Sequence, residues 1–568
     1  MTLFSGAWRR AATGLLLPCL LAALPLAAAH AQTQTPAPAG RADALPALGD
    51  AGDMTPLEER KLGDLIVRDL YSDPTYMDDP ILSVYVNGIW RRLLAAAEVR
   101  GNLTSELAQR YAWRLLLVRD REINSFAMPG GYIGVNLGMI GTVESHDELA
   151  AVLAHESSHI MQRHIARMIA RQSREQPLLL AAMAAGLLAG IHNPQVGAAV
   201  VAGGQATAVS RQLHFSRNME READRIGYGV FVQAGFDPWG FVSMFEKLQA
   251  AERINDNGDW PFLRDHPLTA ERIADMQERQ RSLQGRPKPA PDWEALLMAA
   301  RARVLARPGV DVLRGWARMP ESAEFAKQPP EKRAAALYAA ALAQAGLHDL
   351  PKAQTLAGQL AGLTADHPKA ARQVQLLQAE LALRAGQPAR ALQLLPAASN
   401  AAAAHPAADG SLEISDADSA PGTGTASSAA AGDGAQDPAR VSFAGRAVLL
   451  LRAEAQLQTG QAAQFKAASS DLQAWVSVHP EDALAWQRLA QVDGAQGLAL
   501  RALRAEGEAR MADLDYAGAM DRWRAAQDYS RRHQSSADDL IQASIVNVRL
   551  RAAQEALKRQ QKEEKKMG

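Results

Sequence analysis

An α+β, mostly helical fold is what the sequence predicts: a mixed α/β domain built around a helix with two histidines, followed by an α-helical repeat solenoid. Three observations predict it. Apolar residues recur at helical spacing through most of the chain, and alanine dominates long stretches of the second half, where it costs least in a helix interior. Strand-like runs are few, short and confined to the first third. Beyond about residue 330 a scheme of helix, glycine turn, helix and closing proline recurs. A chain of 568 residues exceeds one ordinary core, so at least two domains are expected.

Residues 1–31 read as a secretory signal peptide. Arg9 and Arg10 precede an apolar run over 15–28, and Ala29-His30-Ala31 supplies small residues for a cut before Gln32. The single cysteine, Cys19, lies inside that run; Pro18 before it and apolar residues after it disfavour lipidation. Cleavage leaves a chain without cysteine, suited to an oxidising compartment such as the periplasm. Residues 32–54, rich in Pro, Ala and Gly, form a flexible tether. Lysine and arginine number 61 against 62 acidic residues, so no basic stripe argues for nucleic acid as a partner.

The α/β domain is expected over 55–284. Helical patterns cover 56–70 and 81–97, and strands are predicted over 113–118 and 131–137. The second strand follows the Pro129-Gly130-Gly131 turn and is expected at a sheet edge, where it would pair with an extended substrate. A capping box, Ser145 with Glu148, opens the motif helix, whose apolar pattern continues through Ile160, Ile165 and Ile169. Residues 177–209 are unusually apolar. Gly186, Gly190 and the His192-Asn193-Pro194 stop favour a core or interfacial helix over a membrane span.

A linker with a connecting helix over 293–305 is expected within 285–330. Repeats follow over 331–396 and 441–557. Their small residues at helix contacts, with Gly346, Gly386, Gly460 and Gly497 at turns, resemble tetratricopeptide repeats. The stretch 397–440 has almost no large apolar residue and predicts a disordered insert, because it buries too little to offset its ordering entropy. A charged tail closes the chain over 558–568.

The chemistry sits in His155-Glu156-Ser157-Ser158-His159. Histidines four apart share one helix face, as two ligands of a tetrahedral zinc ion require. Glu156 lies beside them, placed to take a proton from water. Gln162 and Ile165 stand where a metzincin has Gly and His, which excludes that class, and no glutamate lies some twenty residues on as in thermolysin. The next acidic cluster is Glu220-Arg221-Glu222-Ala223-Asp224. Glu220 and Asp224 share a helix face, so one could bind metal while the other orients a histidine; on the residues alone, Glu220 and Glu222 both stand as the third ligand.

HESSH, Glu220-x-x-x-Asp224 and Asn124-Ser125-Phe126-Ala127-Met128-Pro129-Gly130-Gly131 resemble the gluzincin metallopeptidases that include HtpX and the CAAX prenyl proteases. With the leader and repeats added, the chain resembles periplasmic members of that family that serve outer-membrane β-barrel assembly. The resemblance implies a zinc metalloendopeptidase holding one Zn2+ through His155, His159 and Glu220. Glu156 would be its catalytic base and Asp224 the catalytic carboxylate behind the ligands. It further implies that His266, in Asp265-His266-Pro267, fills the fourth zinc position in a latent state, with Arg272 nearby. The implied partners are unfolded or stalled outer-membrane proteins and the barrel assembly machinery, met through the repeats; peripheral membrane association is compatible. A repeat-based chaperone or adaptor with a latent protease, and an integral membrane protease of the HtpX type, are the alternative readings.

Overall fold

The computed structural model describes residues 54–173, 216–254, 262–263, 266–306, 309–396, 445–533 and 536–567. The predicted leader, nearly all of the tether, the apolar run 177–209 and the insert 397–440 lie outside them. Described elements are numbered below in chain order.

Helix α1 (Pro56–Ser72) starts where Thr55 and Glu58 complete a capping box, with Pro56 at the position that needs no N–H donor. Helix α2 (Pro80–Val99) buries a stripe that includes Ile81, Leu82, Val86 and Trp90, and a short α3 (Ser105–Arg110) follows. Four strands form one sheet: β1 (Tyr76–Met77), β2 (Arg114–Val118), β3 (Ser125–Met128) and β4 (Tyr132–Asn136), in the order β1-β2-β4-β3. β2 and β4 are parallel; the other neighbours are antiparallel.

The predicted edge strand is therefore not at an edge. β4 is paired on both sides, and all five of its residues are buried, which suits its central place. The edges of the sheet are β1 and β3, and β3 falls within the Asn124–Gly131 motif, for which the sequence predicts no strand. Gly130 and Gly131, at φ +75° and +89°, turn β3 into β4. A Cβ at Gly130 would meet the Arg60 backbone at 2.6 Å, so the turn needs glycine for space as well as for conformation.

Helices α4 (Leu137–Thr142) and α5 (His146–Met161) follow. Half of the predicted capping box forms. Ser145 accepts from the Glu148 N–H, but the Glu148 carboxylate accepts from the Glu144 N–H, Ser243 and Lys247 instead of closing the box. The motif helix also stops earlier than its apolar pattern suggests. Arg163 adopts φ +52°, a new helix α6 (His164–Ser173) begins, and the Arg163 guanidinium is held by buried Glu59 at 2.8 Å.

The domain continues with α7 (Arg217–Gln233), α8 (Pro238–Ile254), α9 (Ala270–Ser282) and α10 (Trp293–Leu305), and α7 and α8 both pack on α5. The predicted connecting helix α10 is more than a spacer: residues 295–302 are all buried, and it packs against α4 and the first long helix of the second half. Two short helices, α11 (Val310–Arg318) and α12 (Ala323–Lys327), precede α13 (Pro330–Gly346), α14 (Leu350–Leu363), α15 (Pro368–Arg384) and α16 (Pro388–Leu394). Then come α17 (Arg446–Gln458), α18 (Ala462–Val478), α19 (Ala483–Ala495), α20 (Ala499–Ala512), α21 (Tyr516–Arg532) and α22 (Ala537–Met567).

From α13 to α16 and from α17 to α22, consecutive helices pack on one another. Gly386, Gly460 and Gly497 take the left-handed turn conformation, and His348 and Leu514 do so in two other turns. Gly507 lies against the Trp523 ring, a small residue facing a large one where α20 meets α21. Residues 558–567, predicted as a tail, continue α22.

One apolar core runs from α2 through α5 and α10 into α17 without a break. Buried arginines tie the same elements. Arg301 donates to Asp79 at 2.8 and 2.6 Å and to Glu380 at 2.7 Å, and Arg446 bonds both Asp78 and Asp482. Among the described residues no helix is long and apolar enough to cross a membrane.

Candidate metal centre

α5 presents His155 and His159 from one face, one turn apart, and α7 crosses it so that Glu220 and Asp224 face them. Gly227 permits the crossing: a Cβ there would sit 3.1 Å from the Ala154 carbonyl oxygen and 3.2 Å from the His155 nitrogen. Spacings of four and three put Glu220, Asp224 and Gly227 on one stripe of α7, so the closest approach of backbones and the acidic side chains coincide.

The ligating atoms of His155, His159, Glu220 and His266 lie within 4.8 Å of one another, and all four residues are buried. His155 Nε2 is 3.0 Å from His159 Nε2 and 3.2 Å from His266 Nδ1. Glu220 Oε1 lies 3.0 Å from His266 Nδ1 and 3.5 Å from His159 Nε2, while its Oε2 is 3.4 Å from His155 Nε2. Imidazole lone pairs turned on one another at these distances repel unless a proton or a cation lies between them. A set of three nitrogens and one oxygen fits zinc, and the Arg272 guanidinium pairs with the Glu220 carboxylate at 2.8 Å. Glu156 completes the site. Its Oε1 accepts from Ser125 of β3 at 3.2 Å, and its Oε2 is buried with no hydrogen-bond partner among the described residues.

The two carboxylates are pushed apart electrostatically. Burial raises Glu156 above its ordinary range, only partly opposed by His266 and His155. Burial acts on Glu220 in the same sense, but His266 and His155 overcome it and hold Glu220 ionised, well below the ordinary carboxylate range. One is thus disposed to carry a proton and the other to stay charged. His155 is buried too, yet its bonds to Asp224 and Glu220 lift it to about 10. Behind it, Asp224 Oδ1 lies 3.0 Å from His155 Nδ1 and accepts from Arg272 at 2.9 Å, and its Oδ2 accepts from Arg272 at 2.6 Å. Burial would raise Asp224, but the Arg272 guanidinium holds it at about 2.

The structure brings together His155, Glu156, His159, Glu220, Asp224 and His266. It also separates the two glutamates that the sequence left open. Glu222 points away from the cluster, to His164 Nε2 at 3.1 Å and Arg167 at 3.0 Å. His164, fully buried with Nδ1 3.0 Å from His159 Nδ1, escaped the sequence reading. The available signal was an Arg-His pair just past the motif, but it read as the continuation of an apolar helix face.

Comparison with known proteins agrees with this geometry. Residues 91–280 match the model of peptidase family M48. The beta-barrel assembly-enhancing protease of Escherichia coli (strain K12) is 33% identical over 272 residues, covering 48% of this chain and 53% of that protein. Its Vibrio cholerae counterpart is 34% identical over 323 residues, 56% of this chain and 63% of the relative. The mitochondrial metalloendopeptidase OMA1 of Schizosaccharomyces pombe is 33% identical over 196 residues, 34% of this chain and 52% of that protein. The chain thus spans between about half and under two thirds of the length of these relatives. Two histidines and a glutamate converge beside a buried glutamate in residues 91–280, the segment similar to peptidase family M48, within a chain similar to beta-barrel assembly-enhancing proteases.

Proposed function

We propose that this chain is a zinc-dependent endopeptidase of the periplasm that serves outer-membrane protein assembly and quality control by cutting misfolded or stalled chains. The observation that carries the catalytic reading is Glu156 Oε2, buried and unpartnered beside converging His155, His159 and Glu220. Zinc held there supplies Lewis acidity, which polarises a scissile carbonyl and makes water more acidic. The chain's own residues do the rest. Glu156, with its raised proton affinity, takes the proton of the attacking water and hands it to the leaving amine. Asp224, braced by Arg272, holds the Nδ1 proton of His155, so that Nε2 is the nitrogen that would give up its proton and offer its lone pair to a metal in the cluster. The edge strand β3, which bonds Glu156 through Ser125, would offer backbone hydrogen bonds to an extended substrate irrespective of its side chains. Low sequence specificity of that kind suits misfolded chains. The leader read in the sequence and the names of the relatives support the compartment and the link to barrel assembly, with the helical pairs of the second half as the surface that meets unfolded barrel proteins and their assembly machinery.

Glu156→Gln tests the catalytic reading. The variant is expected to keep one zinc per chain and to lose casein hydrolysis; loss of the metal, or near-normal cleavage, would overturn the assignment.

A second reading, in which the protease rests latent and the repeats act as a chaperone or adaptor, is favoured by His266. It is buried within the cluster, where a catalytic zinc needs an open position. On this reading His266→Ala raises casein hydrolysis and self-cleavage, and adding Glu156→Gln abolishes the gain. A uniform fall in rate assigns His266 to transition-state stabilisation instead.

A further inference from the structure

Asp224 accounts for one of the two motif histidines. His159 is held differently. At φ +52° Arg163 turns the chain sharply, so that His164, the first residue of α6, comes beneath His159 and not one turn farther along the same helix. The two Nδ1 atoms lie 3.0 Å apart. On its other side His164 Nε2 is 3.1 Å from Glu222 Oε2, which also accepts from Arg167 at 3.0 Å. Two residues beyond Glu220 on α7, Glu222 faces away from the metal centre and towards α6.

The proton inventory of this chain has one consistent solution for neutral rings. A carboxylate only accepts, and Glu222 Oε2 also accepts from the Arg167 guanidinium. His164 must therefore give Glu222 its Nε2 proton, which leaves its own Nδ1 bare. Bare Nδ1 accepts the Nδ1 proton of His159. His159 then has no proton left on Nε2, the atom that faces the other ligands.

Resting on the reading of His159 as a zinc ligand, we propose that His164 and Glu222 form a positioning relay that locks His159 in the tautomer able to bind metal. The two ligating histidines are thus supported differently: His155 directly by a carboxylate, His159 through an intervening imidazole. Arg167 anchors the outer end at a partly exposed position and joins α6 to α7. Neither His164 nor Glu222 touches the reacting atoms; both act through His159.

The test uses the full-length chain, with zinc affinity read by competition with a chromophoric chelator and ligand geometry read from the visible absorption of the cobalt-substituted protein. His164→Leu removes the acceptor, Glu222→Leu removes the group that sets the His164 proton, and His164→Asn keeps a polar acceptor near the lost Nδ1. Both leucine variants are expected to bind zinc about 10- to 100-fold more weakly, the usual cost of losing a group that orients a metal-binding histidine, and to shift the cobalt spectrum. The asparagine variant should recover most of both. Because the two residues act in series, the double leucine variant should lose little more than either single one. Unchanged affinity and spectrum in the leucine variants, or fully additive losses in the double variant, would overturn the relay. If His164→Leu does not fold, Glu222→Leu at its partly exposed site decides alone. Wild-type protein that binds no zinc defeats the parent reading; wild type that binds zinc while the variants match it defeats only the relay.

Discussion

At the scale of the residue, charge environment and not residue type sets what each group does. His155 and His159 come from one motif and one helix face, yet His155 is lifted to about 10 by Asp224 and Glu220, while burial drives His159 well below its ordinary value. The same holds for Glu220 and Glu222, both helical glutamates beside the same motif. Glu220 is enclosed by His155, His159 and His266, whereas Glu222 is partly exposed and bonds outward. Glu220→Ala is therefore expected to abolish stoichiometric zinc binding, whereas Glu222→Ala still fills with one zinc when the metal is in excess. Metal analysis after dialysis against a zinc buffer checks this; equal losses, or the reverse order, would mean that the ligand is misplaced. The i, i+4 spacing made Glu220 and Asp224 legible as a pair. Nothing local distinguished Glu220 from Glu222, because that choice depends on which side of α7 meets α5.

At the scale of the element, the site depends on how closely two helices approach. α7 reaches the backbone of α5 because position 227 carries no side chain. Gly227→Ala asks the helices to part by a few tenths of an ångström, and it should weaken zinc binding and lower stability by roughly 1–3 kcal/mol, as over-packing typically does. Gly88, in α2, has open space around it, so Gly88→Ala should leave zinc binding unchanged and serves as the control. Chelator competition and thermal unfolding of both variants check the claim. The N-terminus of α5 is held from the other direction: Asp292 caps α10 at 3.0 Å and accepts the His146 backbone N–H at 2.8 Å. Helices and strands themselves were largely readable from apolar period and turn chemistry. The break at Arg163 was not, since the apolar pattern at Ile160, Ile165 and Ile169 fits a continuous helix as well as it fits two.

At the scale of the whole molecule, the two halves meet through a shared core and through buried charge. Arg114 of β2 donates to the Ala512 carbonyl at 3.2 Å, next to Asp513 at the end of α20. Burial raises Asp513 to about 7, with Arg114 only partly opposing it. The sign follows from linkage. Between the ordinary aspartate value and about 7 the unfolded chain gives up this proton while the folded chain keeps it. Stability therefore falls as pH rises through that window, and the cost is complete above it. Asp513→Asn removes the ionisation. Because the side chain is partly exposed and screened, the gain at pH 8 is put at roughly 1–2 kcal/mol, with little change near pH 4. Unfolding curves of the variant and the wild type at the two pH values check this; an equal shift at both would show that ionisation is not the cause.

Local pattern alone determined that most of this chain is helical, that His155, Glu156 and His159 share a helix face, and that later helices pair about short turns. These follow from side-chain period and turn chemistry, which act over a few residues. Only the tertiary structure decided that β4 is central and β3 lies at an edge, that Glu220 and not Glu222 enters the cluster, and that His164 lies against His159. The same is true of α10, the expected connecting helix, which is buried and joins both halves in one core. Each of these depends on which surfaces meet across tens or hundreds of residues. A helix with two polar faces, such as α7, carries no local mark of which one its neighbour will bury.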